Sequence, residues 1–497
     1  IADVVRDLPI LDFMDPYYEV KQVVVNEIKY NVNFAQVQTV DRCMSCHLGI
    51  DKKGFEDQPQ PFTTHPNLNL YLTSASAHPI ERYGCTGCHA GRARGTTFNT
   101  AVHMPNTPAS KAEWKEEFGW EKMHHWLKPM LPTRYSEAGC FKCHSSEANI
   151  KGADKLTLGL SLIEKAGCYG CHTIEKYKDR RKSGPDLTKI HEKTTQEWSR
   201  KWVHDPKSFR HNTWMPSFFN QDNNSDHLSQ VRNKTEIYSM VNYLFKDKQE
   251  VDREKSYSKY LGNVDSGKEL FESVGCMGCH TVNEDPDFVE ESNLSNLLKK
   301  QGPNLIGMGS KTTPEWLYKW VKNPKEYWPE TRMPDLRLSD SEAKDITAYL
   351  YSINNPEFEE IEDIVLDTAE LDNVTQRWLN KKYSLDVAQN KFGDMTQDDK
   401  LDYVAKKSIA YYGCFGCHII EGFEDAKPIG TELTYEGTKP LEKLDFGYIH
   451  DIDHTNYAWF EQKLENPRIF DRHKEVAHED KLIMPNFDFN ETEIEAL

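Results

Sequence analysis

Apolar positions along this chain change their spacing from one region to the next. Between Tyr18 and Val40, Ile28, Tyr30, Val32 and Phe34 alternate with polar residues, after the run Val23-Val24-Val25. Period two puts successive side chains on opposite faces, so the stretch predicts one or two β-strands, with an irregular extended arm as the alternative. Residues 1–15 hold Leu8-Pro9-Ile10-Leu11 and Asp15-Pro16 and read as a loop-like lead-in. From 41 to 150 the periodicity fades and Pro, Gly, His and Trp become frequent, so little regular structure is expected. Helical spacing then takes over. One helix is predicted from about Thr157 and a second over Thr235–Phe245. The same order recurs with a helix over Gly267–Ser273, which Ser266 is placed to cap, and another over Ser341–Tyr351. A third round begins with Asp398–Tyr412. Its closing helix, with Asn490 as cap, has made one turn when the chain stops at Leu497, so further residues or a partner are expected to cover it. Between the second and third rounds, the acidic run Glu357-Phe358-Glu359-Glu360-Ile361-Glu362-Asp363 reads as a solvated linker. The pattern predicts a mainly α chain with much irregular structure. Its segments are 1–40 (an extended or β arm), 41–150, 151–255, 256–355, 356–396 (the acidic linker) and 397–497. Segments 151–255 and 256–355 are a tandem repeat, and 397–497 is a diverged third copy.

Into this pattern fall six Cys-x-x-Cys-His pentads, which use all twelve cysteines. They are Cys43/Cys46/His47, Cys85/Cys88/His89, Cys140/Cys143/His144, Cys168/Cys171/His172, Cys276/Cys279/His280 and Cys414/Cys417/His418. The spacing reads as c-type haem attachment. Two thiols form thioethers to one macrocycle, and the adjacent imidazole becomes the proximal ligand of its iron. Zinc or disulfide chemistry does not require a His directly after every second Cys. Six covalently attached c-type haems are therefore expected. They also account for a hydrophobic fraction of only 38% in a chain of 497 residues, because macrocycles replace core side chains; long surface linkers contribute as well.

Three pentads lie in 41–150, and that region also holds five other histidines suited to a second axial position. Their order of preference is His78, His103, His125, His65, His124. His65 and His78 precede Pro, which favours an extended backbone. Met104 competes with His103. His124 and His125 sit at the end of a short helical stretch from Lys111.

The later segments share further landmarks. These are Gly184-Pro185-Asp186-Leu187 and Gly302-Pro303-Asn304-Leu305, then Met215-Pro216, Met333-Pro334 and Met484-Pro485. In the third copy the Gly-Pro element has become Pro428-Ile429-Gly430-Thr431-Glu432-Leu433. A helix before the pentad, Gly-Pro-x-Leu after it, a late Met-Pro and a short closing helix resemble class I cytochrome c. The resemblance implies three such helical modules. Pro185 and Pro303 would support the proximal His, with Pro428 a weak match. By position, Met215 would ligate opposite His172, Met333 opposite His280 and Met484 opposite His418. His450, His454, His473 and His478 compete with Met484. Region 41–150 more loosely resembles bis-His multihaem cytochromes.

The whole arrangement resembles the large multihaem subunits of bacterial quinol-oxidising bc-type or alternative complexes. That likeness implies a non-catalytic electron relay in a respiratory or photosynthetic complex, periplasmic or on the outer face of the cytoplasmic membrane. Its redox partners would be membrane cytochrome b or iron-sulfur subunits and a soluble cytochrome. Membrane association would run through partners or through an anchor preceding Ile1, since no apolar run is long enough to cross a bilayer. A formal charge of -18 argues against nucleic acid as a partner. The alternatives are a reductase or peroxidase with one open haem site, and an extracellular cytochrome filament.

Overall fold

The computed structural model describes residues 20–32, 34–126, 128–282 and 294–497, and the chain divides into two units, 1–156 and 157–497. The lead-in and Tyr18 lie outside the described residues. In the first unit the alternating stretch forms a hairpin of β1 (Val23–Val32) and β2 (Ala35–Asp41), antiparallel, with Val23 opposite Asp41 and Val32 opposite Ala35. The register shifts between Val25 and Lys29. Such an irregularity bends the ribbon, and Val25 beside it is fully buried. Helix α1 (Pro108–Phe118) starts at Thr107, whose hydroxyl accepts from the Ser110 N–H, and stops at left-handed Gly119. His124 and His125 therefore lie in the turn beyond this helix, not at its end. Most of the remaining unit is short turns.

The second unit is helical, as the spacing predicts. Its main helices are α2 (Asp154–Ala166), α3 (Gln196–His204), α4 (His227–Phe245), α5 (Val264–Ser273), α6 (Pro314–Lys322), α7 (Asp340–Tyr351), α8 (Thr368–Lys382), α9 (Leu385–Gly393), α10 (Gln397–Tyr412), α11 (Asn456–Glu465) and α12 (Glu491–Ala496). Two starts differ from expectation. Asn263, not Ser266, caps α5, its side chain accepting from the Ser266 N–H at 2.8 Å. Helix α4 begins at His227 because Asp226 caps it there.

The acidic segment is not a solvated linker. Glu357, Glu359, Glu360 and Glu362 are exposed, but Asp363 accepts from Arg200 Nε at 2.8 Å, and Phe358 is 1% exposed and packs on Trp198 and Phe209. Burying one such ring contributes roughly 1.5–3 kcal/mol, enough to hold the segment down. Leu371, Val374 and Leu379 then recur at helical spacing along α8 and are buried, Leu371 and Val374 against Leu401 and Val404 of α10.

The middle module closes on itself, with α5 crossing α7. Their backbones touch at Gly267, where a Cβ would lie 1.9 Å from Asp345 O. The other two modules do not close on themselves. Helix α2 of the first crosses α12 of the third, and a Cβ on Gly159 would lie 2.2 Å from Ala496 O. Helix α10 of the third packs along α4 of the first, burying Ile237, Met240, Ile409 and Tyr412 in one cluster. The tandem order in sequence thus becomes an exchange in space.

A buried polar network locks this exchange. Arg232 on α4 donates to Glu236 at 3.0 Å and to Glu479 at 2.7 Å. Tyr412 on α10 donates to Glu236 at 2.7 Å. His478 lies 4.0 Å from the same carboxylate. Burial, then Arg232 and Lys481, push the His478 pKa down to about 3.

Removing Arg232 leaves two carboxylates without their cation, one of them fully buried. Arg232→Met should cost about 3–5 kcal/mol in urea unfolding, and adding Glu236→Gln should recover part of that loss. The neutral folded His478 also sets a pH dependence. Below the unfolded value of about 6.5, the unfolded chain takes up a proton that the folded chain refuses. Stability should therefore fall as pH drops from about 6.5 towards 3, by at most ~1.4 kcal/mol per pH unit. His478→Gln should flatten that slope in urea titrations at stepped pH.

Candidate metal centres

The first unit brings its three pentads into contact. Asp41, at the end of β2, is buried and accepts from the N–H groups of Cys43 (3.1 Å), Cys85 (2.9 Å) and Thr86 (2.9 Å). It holds the starts of two pentads against each other. The ligand atoms of Asp41, Cys43 and Cys85 lie within 4.8 Å of one another. This is not a separate cation site. Cys43 and Cys85 are the first thiols of two pentads, so the cluster belongs to those attachment sites; hydrogen bonding to Cys85, burial and Asp41 push the Cys43 thiol up. A Cβ on Gly139 would lie 2.1 Å from Cys88 O, so the third pentad sits on the second. The spatial order is 43–47, 85–89, 140–144.

Each proximal imidazole in this unit faces a second one. His47 pairs with His103 at 6.1 Å between ring centroids, His89 with His65 at 6.0 Å, and His144 with His78 at 5.8 Å. Metal–imidazole bonds run about 2 Å, so two of them end to end, plus the half-widths of the rings, give a separation of about 6 Å. The gaps fit an iron held from both faces. This corrects the order of candidates: His65 is in a pair, while His125 and His124 stand outside all three. His103, not Met104, faces His47. Burial keeps His47, His65, His89 and His103 below the ordinary imidazole range, His65 at about 4. Neutral imidazole is the form that binds metal.

Hydrogen bonds also settle which nitrogen is free. His103 Nδ1 donates to Phe98 O at 2.8 Å and His144 Nδ1 to Glu147 at 2.6 Å. These acceptors have no proton to give, so Nε2 keeps its lone pair. His65 differs. Its Nδ1 accepts from Asn67 N–H at 3.0 Å, leaving the proton on Nε2 until a metal displaces it.

In the second unit one supporting motif occurs three times. In the middle module, His280 Nδ1 donates to Pro303 O at 2.8 Å, Gly302 N–H donates to Cys279 O at 2.9 Å and Leu305 N–H to Thr281 O at 2.8 Å. The other two copies are reciprocal. His418 Nδ1 donates to Pro185 O at 2.9 Å, with Gly184 N–H on Cys417 O and Leu187 N–H on Ile419 O. His172 Nδ1 donates to Thr431 O at 2.8 Å, with Gly430 N–H on Cys171 O and Leu433 N–H on Thr173 O. Pro185 therefore supports His418, not His172. Thr431, which the sequence reading passed over for Pro428, supports His172. The readable signal was Gly-x-x-Leu, which all three copies share. The two exchanged pentads meet back to back: a Cβ on Gly170 would lie 2.7 Å from Gly416 O, and one on Gly416 2.3 Å from Gly170 O.

The cysteines are not equally covered. Cys46, Cys143 and Cys279 are exposed, whereas the other nine are half-buried. Each exposed thiol is the second of its pentad. At about 100° per residue, one helical turn sets the first Cys and the His within about 40° of each other and the second Cys about 60° to the other side. The second thiol therefore falls on the rim of the turn. Where another pentad covers that rim, it is shielded: a Cβ on Gly413 would lie 3.5 Å from Cys171 Sγ, and one on Gly167 3.5 Å from Cys417 Sγ. In the turns at 43–47, 140–144 and 276–280 the second thiols, Cys46, Cys143 and Cys279, are exposed among the described residues.

Trp202 Nε1 lies 2.8 Å from Met215 Sδ. Val203 and Phe218, on either side of Met215 in the chain, pack in one cluster with Cys414 and Phe415. Leu464 and Phe487, on either side of Met484, pack in one cluster with Cys168 and α2. The chain around Met215 thus shares a cluster with the 414–418 pentad, and the chain around Met484 shares one with the 168–172 pentad. Met333 follows Tyr327, which packs on Trp316 and Trp320 in the cluster that holds Cys276. Of the competing histidines, His478 is committed to the Glu236 network and His454 is stacked on Phe446 at 4.3 Å.

Orphaned polar groups complete the fit. Arg210 is 7% exposed, burial lowers its pKa to about 10, and its Nε has no partner. Trp198 Nε1, Thr194 Oγ1 and Thr312 Oγ1 are also buried without partners. Lys193 lies 4.5 Å over Trp316 and Lys311 4.5 Å over Trp198. Burial lowers Lys193 to about 8 and Lys311 well below its usual value. A cationic, donor-rich interior of this kind fits the carboxylates that a haem carries.

The family model for cytochrome c matches residues 264–354, the middle module. Among curated proteins, cytochrome c of Nigella damascena is 30% identical over 100 residues, covering 18% of this chain and 88% of that protein. Cytochrome c of Sesamum indicum is 32% identical over the same shares, and that of Gossypium barbadense 30%. No solved structure matches the chain.

A methyl at position 430 would lie 2.6 Å from His172 Nδ1, and one at 184 would lie 2.5 Å from His418 Cε1. Gly430→Ala should therefore disturb the His172 ring and Gly184→Ala the His418 ring, each costing about 1–3 kcal/mol. Imidazole NMR resonances, assigned through His→Gln variants, check which ring moves.

Proposed function

The chain belongs to the cytochrome c family, and on that premise we propose that it relays electrons along six covalently attached c-type haems. The observation that carries this reading is the set of three His–His pairs at 5.8–6.1 Å, one for each pentad of the first unit. A bound haem supplies one-electron chemistry at its iron. The chain's own residues decide what that iron can do. The paired imidazoles His47/His103, His89/His65 and His144/His78 would hold an iron from both sides and leave no place on it for a substrate, which favours a relay over a reductase or peroxidase. Carbonyls behind the proximal rings fix their orientation and make them better donors.

In this reading the second unit differs by its sulfur ligands, Met215, Met333 and Met484. A thioether favours the ferrous state and raises the potential. The haems at His47, His89 and His144 thus form a lower-potential set, and those at His172, His280 and His418 a higher one. Asp41, buried between two pentads of the first unit, adds negative charge where the lower potentials are expected. The site of action is the periplasm or the outer face of the cytoplasmic membrane, where covalent haem attachment takes place. No helix among the described residues is long and apolar enough to cross a membrane; we assign membrane association to partner subunits of a respiratory or photosynthetic complex, such as cytochrome b or iron-sulfur proteins, or to an anchor preceding Ile1. The charge of -18 suits a basic soluble cytochrome as a further partner.

The matured chain should give six haems by pyridine haemochrome. His65→Ala, His78→Ala and His103→Ala should each convert one low-spin ferric signal to high-spin in electron paramagnetic resonance, while His124→Ala and His125→Ala leave the spectrum unchanged. Fewer than six haems, or a spin change in either of the last two variants, would contradict the reading.

A further inference from the structure

We infer that the irons at His172 and His418 take their sulfur ligands crosswise, Met484 opposite His172 and Met215 opposite His418, while Met333 stays with His280. The inference rests on the six-haem reading and goes beyond it by assigning ligand to iron.

The middle module defines what belongs together. Its front half is α5 with the 276–280 pentad. Its back half is the Gly302–Leu305 turn, α6, Met333 and α7. The turn lies under His280 and α7 lies across α5, so both halves come from one stretch of chain. In the exchanged pair the same halves come from different stretches. The front half α2 and 168–172 receives the Gly430–Leu433 turn and α12. The front half α10 and 414–418 receives the Gly184–Leu187 turn and α4. Met215 lies between that Gly184 turn and α4 in the chain, and Met484 lies between the Gly430 turn and α12. Each sulfur should travel with its back half.

The two Met-Pro turns also meet. Just past the methionines, Ser217 and Asn486 exchange backbone hydrogen bonds, Ser217 N–H to Asn486 O at 2.8 Å and Asn486 N–H to Ser217 O at 3.0 Å. Proximity alone would therefore let either sulfur serve either iron. Side-chain packing breaks the tie. Val203, Phe218 and Phe219 face Cys414 and Phe415, while Leu464, Phe487 and Phe489 face Cys168. The arrangement has a functional consequence. The two pentads touch through Gly170 and Gly416, so the haems they hold would form a close pair, and each iron would depend on the other's stretch of chain for its potential. Neither site can be completed alone.

The test uses the full matured chain with one haem marked. Cys414→Ala leaves the haem at His418 on a single thioether, which shifts its α-band and makes it separable in a redox titration. In that background Met215→His should lower the potential of the marked haem and abolish one sulfur-to-ferric charge-transfer band. Met484→His should abolish one band and lower the potential of an unmarked haem. The reciprocal marker Cys168→Ala should exchange the two results, and it serves alone if the first variant does not mature. Met484→His acting on the haem marked by Cys414→Ala would overturn the crossing but leave the six-haem reading intact. If no methionine variant abolished a band, the crossing would fall together with sulfur ligation.

Discussion

The second unit depends on two backbones touching where no side chain fits. Gly170 and Gly416 each present the other's carbonyl with a hydrogen where a Cβ would clash, and this lets two Cys-x-x-Cys-His turns lie back to back. Once they do, the turn that should support each histidine lies closer to the other one. The reciprocal bonds from Gly184 N–H to Cys417 O and from Gly430 N–H to Cys171 O follow. So do the crossings of α2 with α12 and of α10 with α4. The Arg232–Glu236–Tyr412–Glu479 network then closes the interface from the far side. Buried ion pairs of this kind contribute little net stability but are costly to break singly. Their effect here is to make the exchanged arrangement hard to undo.

The first unit solves a different problem with the same pentad. Among its described residues a hairpin and one helix of three turns stand among short turns, too little to bury a core for its length. Its order comes from three pairs of imidazoles and from Asp41, which holds two pentads through backbone N–H groups. The pairs would supply the walls of three proposed metal positions, and the contact of Gly139 with Cys88 sets the third pentad beside the second. Proposed haems would here be both cofactor and core. The potential difference between the units would then arise from ligand type, imidazole in one and thioether in the other.

Much of this was legible in the sequence because it is local. The pentads, the helices before them and the capping residue Asn490 need only neighbours in the chain. What the sequence hid was non-local. No spacing shows that Gly430 belongs under His172, because the two are joined only in space. The choice of His65 over His125 likewise depended on which imidazole the hairpin and pentads bring opposite His89. The exposure of Cys46 and Cys143 beside the shielded Cys171 and Cys417 has the same origin, since it turns on which pentads pack against one another. The acidic connector misled because charge dominates its composition, while a single Phe358 and the Leu371/Val374/Leu379 stripe fix its position. Thr431 was missed because the supporting group is a backbone carbonyl, which any residue can offer.

The central claim is that the chain binds every iron on both faces and therefore conducts rather than catalyses. Electron paramagnetic resonance of the fully oxidised, unmodified holoprotein tests it most directly. The account predicts low-spin ferric signals alone, integrating to the full haem content. A high-spin signal amounting to one haem per chain, persisting after complete maturation, would contradict it and point to an open site for substrate.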